Sequence, residues 1–191
     1  MKAREASPRD TAYADLLALP ENVVGEIVDG ELVVSPRPAA PHAVASSAMG
    51  ADIGGPFGRP PGGGRGPGGW WILDEPELHF GADVVVPDLA GWRRERMPKV
   101  PDVPFFELAP DWVCEVVSPR TARLDRGRKR DIYAREGVAH LWLVDPLART
   151  VEVFRLDAGS WVLQHTFAGD EKVRAEPFQA VELELAGWWI D

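Results

Sequence analysis

The stretch Trp112-Val113-Cys114-Glu115-Val116-Val117, continuing through SPRTARLDRGRKRDIYAREG (118–137) to HLWLVDP (140–146), decides the fold of this chain. Two short apolar runs flank a polar segment of helical character, which predicts a strand, a helix and a second strand. Strand alternation puts Val113, Glu115 and Val117 on one face and Trp112, Cys114 and Val116 on the other. Both faces are large and apolar, so the strand is expected to be central and covered on both sides. Glu115 is then a buried carboxylate, which is costly unless something pairs with it. On the helix, Lys129 shares a face with Asp125, Ile132 and Tyr133 through three- and four-residue spacing. That face should pack on the sheet and carry Lys129 inward. Gly137 is the expected C-cap.

Upstream, DVVVPDLAGW (83–92) reads as a neighbouring strand with Asp88 inside it. Two carboxylates on adjacent strands, facing the same way, are unfavourable unless a divalent cation lies between them. Oxygen donors favour a hard cation, Mg²⁺ or Mn²⁺. A lysine aimed at such a pair suits hydrolysis of a phosphodiester. The cation lowers the pKa of bound water, and the ammonium orients that water or offsets negative charge in the transition state.

The rest of the chain builds around this unit. Residues 10–19 predict a short helix, capped at Asp10 or Thr11 and stopped by Pro20. VVGEIVDGELVVSP holds two apolar runs about Asp29-Gly30, a hairpin signal. Residues 41–53 look helical, and the Gly/Pro-rich segment 54–69 reads as a flexible loop. Strands are expected at WWIL, ELHF, TVEVFRL and SWVLQHTF, with ELELAGWWI closing the chain as a further strand. The sum is one α/β (α+β) domain, a mixed central sheet flanked by helices.

The 191 residues suit one domain with a real core. The charged start and the lack of an apolar stretch of about 20 residues predict neither a secretory signal nor a membrane span. The single cysteine, Cys114, makes no internal disulfide and fits a reducing cytoplasm. A formal net charge of −9 counts against sequence-independent adhesion to nucleic acid. A cation, with Arg59, Arg65 and the Arg93-Arg94-Glu95-Arg96 stretch, would have to reverse that field locally.

The block PD…EVVSPRTARLDRGRK resembles the PD-(D/E)xK nuclease superfamily and, more narrowly, the Uma family of restriction-endonuclease-like proteins. The resemblance runs along nearly the whole chain, from DTAYADLLALPEN and GEIVDGELVVSP through VPDLAGW and EVVSPRTARLDRGRKRDIYAREGVAHLWLVDP to TVEVFRL. It implies a restriction-endonuclease-like fold and a metal-dependent endonuclease acting on DNA. It further implies Asp88 as the metal-bridging aspartate and Glu115 as the second acidic ligand, with the backbone carbonyl of Val116 as a third. The superfamily's usual pattern has a lysine two residues after that acid, where this chain has Val117. Lys129 takes the place of a lysine moved to the next helix, and Glu26 that of an additional N-terminal acid. His42, Ser118, Asp125 and Tyr133 are second-shell candidates, and a homodimer would suit the cutting of two strands.

Taken singly, these residues have plainer explanations. Pro-Asp is a common turn pair. Glu115 could face solvent, and a charge run such as Arg126-Gly127-Arg128-Lys129-Arg130 is usually a solvated face. His42 is most simply a cap or surface residue. Cys114 alternates away from Glu115, which reads as packing rather than a nucleophile. GWW at 187–189 could bury against a partner subunit. A competing function of another class is a catalytically idle or regulatory module that keeps the fold and binds a protein or nucleic acid.

Overall fold

The computed structural model describes residues 8–64 and 66–190. Helix α1 (Pro8–Leu17) starts before both proposed cap residues and ends short of Pro20. Strands β1 (Val23–Val28) and β2 (Glu31–Pro36) form the expected hairpin, with Val28 opposite Glu31. Asp29 and Gly30 have φ of 52° and 78°, the left-handed pair that a two-residue turn of type I′ needs. Helix α2 (Ala40–Phe57) precedes β3 (Trp70–Asp74), β4 (Leu78–Phe80), β5 (Asp83–Val85), β6 (Leu89–Arg93) and β7 (Trp112–Val116). The helix over 122–135 has three parts: α3 (Ala122–Leu124), a π turn (Asp125–Lys129) and α4 (Arg130–Arg135). Strands β8 (His140–Asp145), β9 (Thr150–Asp157) and β10 (Ser160–Ala168) follow. The chain closes with β11 (Lys172–Val173), β12 (Leu183–Glu184) and a 3₁₀ turn (Leu185–Trp188).

The larger sheet has the order β10-β9-β8-β7-β6-β3, the smaller one β2-β1-β5-β4. Strands β7 and β8 are parallel, and the helix over 122–135 is their crossover. Strand β7 is buried throughout, and its two faces enter two separate cores. Trp112, Cys114 and Val116 join Met49, Ile53 and Phe57 of α2 and the C-terminal Phe178 and Trp188. Val113 and Val117 join Ile132 and Tyr133 of α4, together with Val28, Leu78 and Val85 of the smaller sheet. The alternation expected of Trp112–Val117 is therefore present, and Glu115 sits on the face shared by the helix and the smaller sheet.

Three expectations are corrected. Residues 83–92 are not one strand. Pro87 cannot donate to a ladder, and the run divides into β5 in the smaller sheet and β6 in the larger. Asp88 stands at this crossing rather than inside a strand. Second, α2 continues through Gly54-Gly55-Pro56 to Phe57. Ala45, Met49, Ile53 and Phe57 recur every four residues and are all buried, so packing of that stripe overrides the poor helix propensity of glycine and proline. The loop then folds back on the helix end, Gly68 N–H donating to Pro56 O at 3.0 Å and Gly69 N–H to Arg59 O at 2.7 Å. A Cβ on Gly66 would lie 2.5 Å from Pro56 O, which is why glycine is needed there. Third, only Leu183–Glu184 of the closing segment is strand. Trp188 and Trp189 bury in this chain's own core, and Trp188 Nε1 donates to Asp52 Oδ2 at 2.8 Å. Among the described residues no helix is long and apolar enough to cross a membrane.

Candidate active site

The site lies where the two sheets and the crossover helix meet. Strand β1 brings Glu26, the β5–β6 crossing brings Asp88, β7 brings Glu115 and the π turn brings Asp125 and Lys129. All five line one cleft together with His42 and Val116. Lys129 is its centre. Its Nζ lies 2.8 Å from Glu26 Oε1 and 2.8 Å from Glu115 Oε1, and 4.0 Å from Asp125 Oδ1. It also donates to Val86 O at 3.3 Å. Only 2% of Lys129 and 2% of Glu115 is exposed, so the charge run around Lys129 is not a solvated face at this residue. Its neighbour Arg128 does turn outward, to Asp29 and Glu31 on the hairpin.

The other contacts fix the acids in place. Glu26 Oε1 accepts the N–H of Val86 at 2.8 Å. Asp88 Oδ2 accepts the N–H of Val116 at 2.7 Å, and its Oδ1 lies 3.1 Å from His42 Nε2. Tyr133 O–H donates to Glu115 Oε1 at 2.5 Å. Both partners of Glu115, Tyr133 and Lys129, use Oε1, and Oε2 takes no part in either bond. His42 stands in the first turn of α2 rather than at its cap, and its buried Nδ1 has no hydrogen-bond partner among the described residues. Ser118 does not line the cleft. Its side chain shares a 3.0 Å hydrogen bond with Thr121 and accepts the N–H of Thr121 at 3.2 Å, which fixes the bend from β7 into the helix.

Charge is crowded here. Burial pushes the Glu115 carboxyl well above the usual carboxylate range, and the nearby acids add to this against the pull of Lys129. Burial likewise raises Asp125 from 3.8 to about 6. Burial alone would lower Lys129, but Glu115 and Glu26 beside it outweigh that and hold the amine as an ammonium. Burial also opposes protonation of His42, while the hydrogen bond to Asp88 favours it and wins. Cys114 is fully buried with its Sγ 3.6 Å from Met49 Sδ, consistent with packing.

The donor set suits a hard cation. Asp88 and Glu115 offer carboxylate oxygens, and Val116 offers a carbonyl. The β6–β7 ladder ends with Leu89 opposite Cys114, so Val116 lies two residues beyond its last pair, next to a segment where Pro87 has no N–H to donate. Among the described residues no three His, Cys, Asp or Glu side chains are grouped as a metal centre. Mg²⁺ is commonly held by one or two carboxylates with water and substrate oxygens completing the shell. The accessible space at the base of this open cleft is about 60 Å³, room for roughly two waters and so for an ion and its water, but small for a nucleotide.

Two arginines that the sequence did not single out flank this cleft, Arg37 after β2 and Arg120 in the bend after β7. Arg59, Arg93, Arg94 and Arg96 line neither the cleft nor the pocket these two share. Arg93 stacks on Trp70 and Arg94 on Trp71, Arg96 pairs with Asp111, and Arg65 lies outside the described residues. No spacing rule links Arg37 to Arg120; only the packing of the hairpin against the bend brings them to one pocket.

No curated protein matches the chain. A crystal structure of a "putative nuclease belonging to DUF820" from Anabaena variabilis ATCC 29413 is similar to it, with a TM-score of 0.72 and 24% identity. The match covers 92% of this chain and 97% of that one, and shows a shared fold. The family model Uma2, described as "putative restriction endonuclease", matches residues 13–186. With nearly its whole length matched, this chain belongs to the Uma2 family.

Proposed function

We propose that this protein is a metal-dependent endonuclease that hydrolyses DNA phosphodiester bonds. The observation that carries this is a buried lysine held between two acids, beside a third acid, in a small cleft that the main chain of Val116 also lines. The family and the fold support a nuclease-like function. Asp88, Glu115 and the Val116 carbonyl would hold Mg²⁺ or Mn²⁺. When bound, such a cation lowers the pKa of water and offsets charge on the phosphoryl oxygens.

The chain's own residues do the rest. Lys129, kept as an ammonium by its acidic neighbours, donates hydrogen bonds and positive charge but cannot serve as the base. It can therefore orient the attacking water or stabilise the negative charge that grows on the phosphate. Glu26, anchored by the Val86 amide, keeps Lys129 drawn toward the smaller sheet when Glu115 is engaged elsewhere. Tyr133 and Val116 N–H orient Glu115 and Asp88, so little reorganisation is left for the reaction itself. His42 holds Asp88 from the opposite side.

The test is cleavage of plasmid, single-stranded DNA and RNA with Mg²⁺, Mn²⁺ or EDTA, comparing wild type with Glu115→Ala and Lys129→Ala. Cation-dependent cutting of DNA that both substitutions abolish is expected. Equal activity in all three proteins would remove these residues from the site. A protein that cuts no substrate would be an idle module instead.

A further inference from the structure

The cleft opens on two flanks of opposite character. On one side a pocket of about 220 Å³ is lined by Asp74, Glu75, Asp88, Ser46 and Ser47. On the other a pocket of about 430 Å³ is walled by Pro36, Pro38, Ala39 and Pro119, with Arg37 and Arg120 at its sides. The second pocket shares Pro36, Pro38, His42 and Thr121 with the cleft, so the two are continuous.

The charge here is uncommitted. Arg96, Arg126, Arg128 and Arg135 each pair with a carboxylate. Arg37 donates to a main-chain oxygen, Glu21 O, at 2.8 Å. Arg120 has no hydrogen-bond or ion-pair partner among the described residues. In a chain of net charge −9, two unneutralised arginines in one pocket beside an acidic cleft mark a place for an anion. A guanidinium fork matches a phosphate in geometry as well as charge. Three proline rings and Ala39 offer apolar walls with few donors, suited to a sugar or base face rather than to another ion. The volume is in the range of small-molecule sites, where the base of the central cleft is small for a nucleotide.

We infer that this pocket is the subsite for the nucleotide next to the scissile phosphate, with Arg37 and Arg120 on its phosphate and the proline walls against its sugar and base. This deepens the endonuclease reading and rests on it. The acidic flank repels a second phosphate, so the strand is held on the arginine side alone.

The experiment measures binding and cutting separately on the full-length protein. A fluorescein-labelled 12-nucleotide single-stranded oligodeoxynucleotide, and the same sequence as duplex, are titrated by anisotropy in EDTA and in Ca²⁺, which takes the same kind of oxygen ligands. Arg37→Ala and Arg120→Ala are each expected to weaken binding about fivefold. Each should also lower the salt slope for the single strand by about 0.7. Arg123→Ala, an exposed arginine outside the pocket, should change neither. In cleavage, KM should rise while kcat holds, and Arg120→Lys should restore part of the loss. Melting curves like wild type's for the single variants establish that loss of fold is not the cause. Wild-type binding and cutting, matched by the double Arg37→Ala, Arg120→Ala variant, would overturn the subsite and leave the nuclease reading intact. Arginine-dependent binding without cutting supports the pocket as a nucleic-acid contact and removes the hydrolytic reading. Wild type that binds neither oligonucleotide under either condition overturns the subsite outright.

Discussion

Asp125→Asn should make the cation-free protein more stable at alkaline pH, and the size of the gain follows from the site. The Asp125 carboxyl is raised from 3.8 to about 6 because it is buried among other acids. Between those values the folded protein holds a proton that the unfolded chain has released, so stability falls as pH rises through the window. At about 1.4 kcal/mol per pH unit, the full cost above pH 6 is about 3 kcal/mol, of which roughly half is already present at pH 5. Asparagine has no such proton. Passing from pH 5 to pH 8, wild type should therefore lose about 1.4 kcal/mol more than Asp125→Asn. For a chain of this size that difference is roughly 3–6 °C in melting temperature. The assay is thermal unfolding of both proteins in EDTA at pH 5 and pH 8. The charge interaction with Lys129 is already contained in the value of about 6, and any pH-independent cost of the substitution, such as imperfect packing of the amide, cancels in the comparison of the two pH values. A gap between variant and wild type that is the same at both, or larger at pH 5, would refute the assignment of Asp125 as a strained acid.

Three other outcomes are expected. Lys129→Met strands Glu26, Glu115 and Asp125 without their shared cation, and should cost about 3–5 kcal/mol at pH 8, the range for breaking a buried ion pair; the loss should shrink at pH 5, and a variant melting with wild type would remove Lys129 as the tie between the sheets. Mg²⁺ at a hundred times its dissociation constant should stabilise the protein by about 2.7 kcal/mol, with Asp88→Ala abolishing the shift in calorimetry. Gly25→Ala would set a Cβ 2.3 Å from Leu19 Cδ1 and 2.5 Å from Leu16 Cδ1; both are ends of flexible, half-buried side chains that can turn aside. The cost should therefore stay at or below about 1 kcal/mol, the low end for overpacking, read by denaturant unfolding, and a larger loss would show that α1 itself is displaced.

Local rules made much of the fold legible. The Asp29-Gly30 turn, the two-sided burial of Trp112–Val117 and the cap at Gly137, whose φ is 75°, each depend on a few neighbouring residues. The division at Pro87 was open to the same reasoning, since a proline in an apparent central strand argues against that strand. The extension of α2 was not, because Phe57 is worth burying only once the C-terminal Phe178 is known to meet it, with ring centroids 4.8 Å apart. In the site, buried carboxylates in apolar runs pointed to Glu115 and Asp88, and helical spacing pointed to Lys129. Glu26 was placed by resemblance alone, as its partners Val86 and Lys129 lie 60 and 103 positions away. His42 and the two flanking arginines carry no local signal, since their meaning comes from tertiary neighbours.

The π turn at Asp125–Lys129 gives the crossover helix two phases. An α-helix advances about 100° per residue, and a π turn inserts one residue without lengthening the axis in proportion. The half that starts at the Ser118–Thr121 bend and the half that ends at Gly137 are thus set at different angles about a common axis. Loss of one residue here, Gly127 for example, would keep every side chain named above and still rotate the acid at Asp125 away from the aromatic at Tyr133. The site depends on the count of residues in this helix as much as on their identity, so a single deletion is a far larger change here than a substitution at the same position.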